Sequence, residues 1–362
     1  MKNKSVLMAM SGGVDSSVAA LTLLKMGYTV EGATMRLYRW DASYRPKTRT
    51  CCTDRDLSDA SEVAAALDIP YSIIDLEADF RRDVIDKFVR VYENGGTPNP
   101  CIDCNRYLKF DKLLEYAKSH SHDYIATGHY ARIAYDAATG RYLLKRSADP
   151  SKDQTYVLYN LTQDDLSHTL FPLGNMTKEE TRAIARKHEL VNSEKADSQD
   201  ICFIPDGDYA GFIERYKEKK YPEGSYLDTD GNIIGTHAGA IRYTIGQRKG
   251  LNVAFGTPMY VADKDMRQNT VTLTPNESDI FRTTLTACDL NWIPFDKPGL
   301  PLRVTAKHRY RAKEAACTIY PDTADTVKVI FDEPQRAMTP GQAIVFYDSD
   351  LVVGGGTILS VD

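Results

Sequence analysis

The segment SGGVDSS, residues 11–17, constrains the fold more strongly than any other stretch of this 362-residue chain. It separates an apolar run at residues 6–10 from a helix-like run at residues 18–26. Its glycines let backbone N–H groups approach a ligand closely, and the helix that follows would present the positive end of its dipole. The segment therefore predicts a strand, a phosphate-binding loop and a helix in succession.

The loop contains no lysine, which separates it from the Walker loop, whose lysine reaches the β- and γ-phosphates. We therefore expect it to serve another bond, between the α- and β-phosphates. A carboxylate repels a phosphate, so Asp15 is expected to help hold Mg²⁺ or to cap the helix. The alternative is that a cluster of Ser, Gly and Asp forms an ordinary turn and N-cap.

Composition and charge limit the class of protein. An apolar content of 42% and a net charge of −5 are typical of a soluble globular protein without a global basic field. We find no export signal and no apolar run of about 20 residues, so we expect a cytoplasmic protein without membrane contact. In that compartment the seven cysteines are more often catalytic, metal-binding or inert than disulfide-bonded.

Periodicity predicts three parts. Residues 1–205 alternate strand and helix patterns, which predicts an α/β fold with a Rossmann-like parallel sheet and helices on both faces. Residues 206–277 predict a small mixed α+β central domain with a helix over 209–217, and residues 278–362 predict a C-terminal β-barrel. In the first part we expect strands at 5–10, 28–34, 71–76 and 123–127, a helix over 14–26, and a Thr177–Glu180 capping box.

Three cysteines stand out by position. Cys101 and Cys104 form a CxxC pair in GGTPNPCIDCNRYLKF, and Cys202 lies in ADSQDICFIP. We place Cys104 at the start of a helix over residues 106–118, where a helix N-terminus stabilises a thiolate, so it is a candidate nucleophile.

Three chemistries fit these cysteines. Cys104 could act with a persulfide carried by Cys202, or the three cysteines could hold an iron–sulfur cluster with one iron left open. A structural zinc site would need a fourth ligand, which Cys51 or Cys52 could supply. Cys288 and Cys317 are interpreted as buried packing residues, as free cysteines usually are.

Six motifs, in this order along the chain, resemble the bacterial tRNA-specific 2-thiouridylase family: SGGVDSSVAA, GGTPNPCxxCN, ATGHYAR, KDQTYVLY, SQDICFIP and YTIGQRKGL. The first also resembles the PP-loop of ATP pyrophosphatases, which adenylate a substrate and release pyrophosphate. The resemblance implies a PP-loop domain, a small central domain and a C-terminal β-barrel. It also implies an enzyme that places sulfur on C2 of the wobble uridine in tRNAs for Lys, Glu and Gln.

The resemblance implies roles for individual residues. Cys202 would receive sulfur as a persulfide from a relay fed by a cysteine desulfurase, Cys104 would be the nucleophile, and a Cys104–Cys202 disulfide would remain. ATP, with Mg²⁺, is expected at Ala9, Met10, Ser11, Gly12, Gly13, Val14, Asp15, Ser16, Met35 and Gly128. The target base is expected at Asn99, Pro100 and Cys101, and the anticodon region of tRNA at His129, Lys152, Asp153, Gln154, Arg309, Tyr310 and Gln342.

Cys101 departs from the commoner family pattern, in which an aspartate occupies this position. A cysteine cannot replace a carboxylate as a base at neutral pH unless its pKa is lowered. The substitution therefore strengthens the alternative of an iron–sulfur cluster on Cys101, Cys104 and Cys202, although the persulfide route is preferred.

The segment AKHRYRAKEA, residues 306–315, predicts an RNA-binding face. If it is a strand, Lys307, Arg309, Arg311 and Lys313 share one side and could follow a phosphate backbone. The alternative is a solubilising outer face. Two other functions compete with sulfur transfer: an amide-forming PP-loop ligase, and a non-enzymatic RNA-binding or iron–sulfur protein. We expect a monomer.

Overall fold

The protein is described by a computed structural model that covers residues 3–39, 54–196, 201–252 and 256–362. Cys51 and Cys52, the suggested extra zinc ligands, lie outside the described residues. Within these ranges, no helix combines the length and apolar character needed to cross a bilayer.

Up to residue 126, strands alternate with helical segments, as the periodicity predicts, and two more strands then follow without an intervening helix. The strands are β1 Ser5–Ala9, β2 Thr29–Arg36, β3 Tyr71–Asp75, β4 Tyr124–Ala126, β5 Ala131–Asp136, β6 Arg141–Arg146 and β7 Thr169–Leu170. The helices are α1 Val14–Lys25, α2 Asp54–Ala66, α3 Glu77–Phe80, α4 Asp86–Glu93, α5 Pro100–Asp103, α6 Leu113–Ser119, α7 Gln163–Ser167 and α8 Lys178–Lys187. The described residues of this part also form π-helical segments at Arg81–Ile85 and Cys104–Lys112 and a 3-10 turn at Thr155–Val157.

The parallel sheet has the strand order β3-β2-β1-β4-β7. Successive side chains of β1 enter different cores: Leu7 packs in one apolar cluster, whereas Val6 and Met8 pack in another. Val18 of α1 shares the second cluster and Phe88 of α4 shares the first. Helices therefore cover both faces of the sheet, which confirms the predicted fold class.

The remaining chain is mainly β-structure. It contains α9 Tyr209–Tyr216, 3-10 turns Ala240–Arg242 and Glu277–Ile280, and strands β8 Gly224–Leu227, β9 Ile233–His237, β10 Tyr260–Asp265, β11 Thr270–Thr274, β12 Phe281–Trp292, β13 Leu302–Lys307, β14 Ala315–Pro321, β15 Val327–Arg336, β16 Ala343–Asp348 and β17 Leu351–Val361. β8 to β11 form a four-stranded sheet, and β12 pairs with β17 to close a barrel in the order β12-β15-β14-β13-β16-β17. The predicted β-barrel is thus confirmed, while the boundaries at 205 and 277 stay predictions.

The hairpin of β5 and β6 is not foreseen by the sequence analysis. It belongs by sequence to the first 205 residues, yet β6 pairs with β17 of the barrel. The Arg146 amide also donates to the Asp350 carbonyl at 2.8 Å, and Asp350 accepts from the Arg132 guanidinium at 3.1 Å. The hairpin therefore ties the parallel-sheet part to the barrel.

Two local predictions are wrong. The CxxC helix begins at Pro100 rather than at 106, because Asn99 caps it by accepting from the Cys101 amide at 3.2 Å. Cys101 therefore occupies the first turn, where the helix dipole acts most strongly, and Cys104 lies one turn further on. The segment 306–315 is not a strand either: β13 ends at Lys307, and a turn follows before β14, so the four cations do not share one face.

Candidate active site

The predicted phosphate loop lies at the carboxyl edge of the parallel sheet. From β1 the chain proceeds outward to β2 and β3, and it then returns to place β4 on the other side of β1. The loops that follow β1 and β4 diverge at this switch point, which is where open α/β sheets bind ligands.

Two glycines allow the close packing around this loop. Gly12 has φ +67°, and a Cβ there would overlap the carbonyl oxygen of Asp56 in α2. A Cβ at Gly128, just after β4, would lie 2.8 Å from the Ser16 amide nitrogen. Gly13 is the N-cap of α1 and makes no side-chain cap bond. The loop therefore leaves N–H groups at the helix start available to an anion.

Asp15 has a different environment from the one expected. Its carboxylate accepts from the Lys178 ammonium at 2.7 and 2.8 Å and from the Tyr130 hydroxyl at 2.9 Å. The expectation that Asp15 caps the helix is wrong, since Gly13 occupies that position. Lys178 instead offsets the negative charge that would repel a phosphate.

A cavity of about 580 Å³ opens beside the loop. Its walls come from the parallel-sheet part and from the turn after β13. The expected site residues that line it are Ala9, Met10, Ser11, Gly13, Val14, Asp15, Ser16, Met35, Pro100, Cys101, Cys104, Gly128, His129, Lys152, Gln154, Cys202 and Tyr310. The expected residues Gly12, Asn99, Asp153, Arg309 and Gln342 are not part of its lining.

All three candidate cysteines reach this cavity, although Cys202 is distant from the others in sequence. Cys101 is exposed, Cys104 is buried and Cys202 is half-buried. Phe203, next to Cys202, packs its ring against Phe80 and Phe88 at centroid distances of 5.6 and 5.3 Å. That aromatic cluster fastens the Cys202 segment against the helices of the first core.

The described part of the chain contains no group of three or more His, Cys, Asp or Glu side chains placed to hold a metal ion. Cys101, Cys104 and Cys202 share the cavity without forming a ligand set for a cluster in this arrangement. The Asp15 carboxylate accepts hydrogen bonds from the Lys178 ammonium and the Tyr130 hydroxyl. Among the described side chains, the cysteines and Asp15 are thus not arranged as a metal-binding group.

His129 lines the cavity as a neutral group. It is 9% exposed, and burial, together with the positive charge of Lys109, lowers its pKa well below the usual range. Its Nδ1 lies 2.7 Å from the Thr127 hydroxyl, and the rings of Phe110 and Phe171 pack beside it. A neutral imidazole can donate or accept a hydrogen bond but does not attract phosphate by charge.

Of the expected tRNA-binding residues at 152–154, two line the cavity and one does not. Lys152 and Gln154 line the cavity, and the Gln154 side-chain oxygen accepts from the Tyr130 amide at 2.8 Å. Asp153 faces inward, where it accepts from the Ser147 amide at 3.1 Å and the Thr155 hydroxyl at 2.7 Å. Asp153 therefore holds the loop that presents its two neighbours.

Of the expected tRNA-binding residues in the barrel part, Tyr310 lines the cavity, whereas Arg309 and Gln342 do not. Tyr310 is 43% exposed and lines the cavity, as does the exposed Arg311. Arg309 is engaged elsewhere, because its guanidinium donates to the Ala337 carbonyl and the Thr339 hydroxyl, both at 2.6 Å. Gln342 also has a protein partner, since its amide donates to the Thr97 carbonyl at 2.7 Å. These contacts indicate structural roles for Arg309 and Gln342.

Two cationic residues of the cavity, Lys109 and Lys195, were not among the residues expected from the sequence. Lys109 follows Cys104 by five positions in the π-helical segment, whose i→i+5 winding brings such pairs toward the same side. Lys195 lies shortly before Cys202 in the chain. Proximity to a candidate cysteine is the sequence signal that could have identified both.

Models of known families match nearly the whole chain. Residues 4–206 match the tRNA methyl transferase HUP domain, residues 210–275 the tRNA methyl transferase PRC-barrel domain, and residues 282–358 the aminomethyltransferase beta-barrel domain. A protein of Acetivibrio thermocellus named tRNA-specific 2-thiouridylase MnmA is 52% identical over 99% of this chain and 100% of its own length. The chain belongs to the tRNA-specific 2-thiouridylase (MnmA) family.

Other members of the MnmA family show the same full-length likeness. The one from Caldicellulosiruptor saccharolyticus is 52% identical and the one from Clostridioides difficile 49% identical, each over 98% of both chains. Although the family models carry the words methyl transferase, these full-length relatives are named for thiolation. A solved 4-thiouridine synthetase with RNA and ATP is 14% identical over 59% of this chain and 50% of its own, and its TM-score of 0.35 is too low to carry an argument.

We expect Gly128→Ala to weaken ATP binding at least about tenfold. The added Cβ would lie 2.8 Å from the Ser16 amide nitrogen, so the phosphate loop would have to move. Isothermal titration with ATP measures the effect. Gly299→Ala is the matched control, because no atom lies within 4 Å of a Cβ at that position. Equal affinity for the two variants would contradict the assignment of this loop.

We expect Arg309→Ala to lower the free energy of unfolding by about 1–3 kcal/mol, because it removes the guanidinium that donates to the buried Thr339 hydroxyl and to the Ala337 carbonyl, which then keeps only its hydrogen bond from Thr339. Thermal melting checks this. The exposed Arg311 provides the comparison, and Arg311→Ala should melt like the unsubstituted protein. An unchanged melting temperature for Arg309→Ala would show that its contacts do not stabilise the fold.

Proposed function

We propose that this protein is an ATP-dependent tRNA-uridine 2-sulfurtransferase, which converts the wobble uridine of tRNAs for Lys, Glu and Gln to 2-thiouridine. The observation that carries the proposal is that the phosphate loop, the three cysteines Cys101, Cys104 and Cys202, and Tyr310 of the barrel part line the same cavity. The relatives named tRNA-specific 2-thiouridylase support the choice of substrate.

Activation is the task of the loop at residues 9–16. The C2 carbonyl of uridine is a poor electrophile, and its oxygen is a poor leaving group. Attack of that oxygen on the α-phosphate of ATP forms an adenylate and releases pyrophosphate, so AMP becomes the leaving group. The N–H groups at the start of α1 suit the phosphates, and Lys178 offsets the charge of Asp15.

Sulfur transfer is the task of the cysteines. In the proposed route Cys202 carries a persulfide supplied by a relay from a cysteine desulfurase. In one version the terminal sulfur of the persulfide bonds to C2 and AMP leaves; the Cys104 thiolate then attacks the Cys202 sulfur, so that the S–S bond breaks and the transferred sulfur stays on C2. In the other version the Cys104 thiolate first attacks the Cys202 sulfur and releases hydrosulfide, which bonds to C2 as AMP leaves. Both routes end in a Cys104–Cys202 disulfide, which an external thiol reductant must open before the next turnover.

Cys101 is proposed to lie beside the target base, together with Pro100, rather than to ligate a metal. This proposal is supported by the position of Cys101 in the first turn of α5 and by its exposure, whereas Cys104, which also lines the cavity, is buried. Asn99 acts as the helix cap and so positions both cysteines. A labile cluster on the three cysteines is the alternative, which their described arrangement does not support.

The tRNA is proposed to approach the cavity between the turn after β13 and the loop at residues 152–154. Arg311 and Lys152 add positive charge to this side of the cavity, and the exposed ring of Tyr310 could stack on an unpaired base. Mg²⁺ is expected to arrive with ATP, and no described side chain is assigned to it. We further propose that the protein works as a monomer in the cytoplasm.

We expect Cys104→Ser and Cys202→Ser each to reduce formation of 2-thiouridine at least about 100-fold, because each removes a sulfur that the transfer needs. Pyrophosphate release that depends on unmodified tRNA should continue at least for a first turnover, because activation does not use these thiols. Nucleoside mass spectrometry and a pyrophosphate assay measure the two steps. Cys288→Ser is the matched control, since that half-buried cysteine does not line the cavity.

Cys101→Ser separates the two sulfur routes. Thiolation that survives this change supports the persulfide route, whereas loss of thiolation together with about four irons per chain after anaerobic purification would support a cluster. ATP turnover that is equal with and without tRNA would contradict the proposed function itself.

We expect Arg311→Ala to weaken tRNA binding and to reduce the slope of log K against log salt by about 1, as the loss of one phosphate contact does. ATP affinity should not change. Filter binding at several salt concentrations provides the measurement. Lys297→Ala removes an exposed cation of the barrel part that does not line the cavity, and an equal loss of slope there would contradict the proposed approach of the tRNA.

A further inference from the structure

We propose that Lys195 binds the β- and γ-phosphates of ATP, and so supplies from a distant segment the lysine that the phosphate loop lacks. This inference rests on the proposed function, because it assigns a further positioning residue to the same reaction. Lys195 lies outside the six sequence motifs and has no role in the proposed cysteine chemistry.

The Lys195 ammonium lies directly at the phosphate loop. Its Nζ lies 3.0 Å from the Gly12 carbonyl oxygen, so it contacts the backbone of the phosphate loop itself. Lys195 also lines the cavity together with Ser11 and Gly13. Its side chain is only 20% exposed, which places the charge inside the site and not on an open surface.

The Lys195 ammonium also lies between two carboxylates. Lys195 Nζ lies 2.6 Å from Asp56 Oδ1 and 2.5 Å from Asp59 Oδ2, both in the first two turns of α2. Asp56 is 5% exposed and also lines the cavity, so it would repel a polyphosphate. One ammonium between two carboxylates leaves net negative charge beside an anion site. Phosphate binding therefore requires this lysine to be present and to turn toward the ligand.

The chain segment before Lys195 is held against the phosphate loop by Asn192. Asn192 is 4% exposed, and its side-chain amide donates to the Gly12 carbonyl at 3.1 Å and the Ser17 hydroxyl at 2.9 Å. This buried contact fastens the chain three residues before Lys195 against the loop. The lysine stem is long and flexible, so its ammonium can exchange carboxylate partners for phosphate oxygens without movement of the anchored backbone.

The inference predicts a pattern among nucleotides. Lys195→Ala should raise the dissociation constant for ATP at least about tenfold, and that for AMP less than about twofold, because AMP lacks the two outer phosphates. Isothermal titration of the full chain with ATP, with AMP and with pyrophosphate alone gives the three values. Equal weakening for ATP and AMP, or no weakening for ATP, would overturn the inference.

A purely structural role for Lys195 predicts a different result, and Asp59 tests it. Asp59→Asn alone keeps the ammonium and removes a competing carboxylate, so it should bind ATP more tightly than the unsubstituted protein. The double variant Lys195→Ala with Asp59→Asn relieves the repulsion between the carboxylates but still lacks the cation, so it should bind ATP as weakly as the single lysine variant. Recovery of ATP affinity in the double variant would show that the lysine only stabilises α2.

The same titrations separate this inference from the proposed function. If the unsubstituted protein does not bind ATP, the proposed function fails and the inference fails with it. If it binds ATP and the two lysine variants match it, only the role of Lys195 is overturned.

Discussion

The close approach of chain segments around the phosphate loop is the constraint on which the site depends. Gly12 lies against the backbone of Asp56, and Gly128 lies against the Ser16 amide, at distances that a side chain would prevent. These contacts place the starts of two helices and the end of a central strand around one loop. Cores on both faces of the sheet hold those elements, so the geometry of the loop is set by packing that lies outside it.

The fold class and many of the cavity residues could be predicted from the sequence, because strand and helix periodicity and loop composition are local properties. Side-chain contacts with distant partners could not be predicted in this way. Nothing local shows that Arg309 is engaged by residues 337–339, or that Asp15 meets Lys178, which is 163 positions away. The alternation around 306–315 was a correct observation, but the chain turns there because β13 and β14 pair as an antiparallel hairpin.

The barrel also helps to position α5, the helix that contains Cys101. The Thr97 amide donates to the Pro340 carbonyl at 2.9 Å, and the Gln342 side chain donates to the Thr97 carbonyl at 2.7 Å. Gly341 fits closely here, since a Cβ there would lie 3.1 Å from the Thr97 nitrogen. The loop before Asn99 is thus held by the barrel, and the position of Cys101 and Cys104 depends on both ends of the chain.

The hairpin of β5 and β6 has a consequence for how the chain is made. Its partner strand, β17, is far along the chain, with Asp350 lying 205 positions after Lys145, so the hairpin edge cannot be paired until β17 has been synthesised. Domains usually fold as units in the order of their synthesis. Here β6 emerges from the ribosome with an unpaired edge, and an unpaired edge is a site for aggregation until its partner β17 is available.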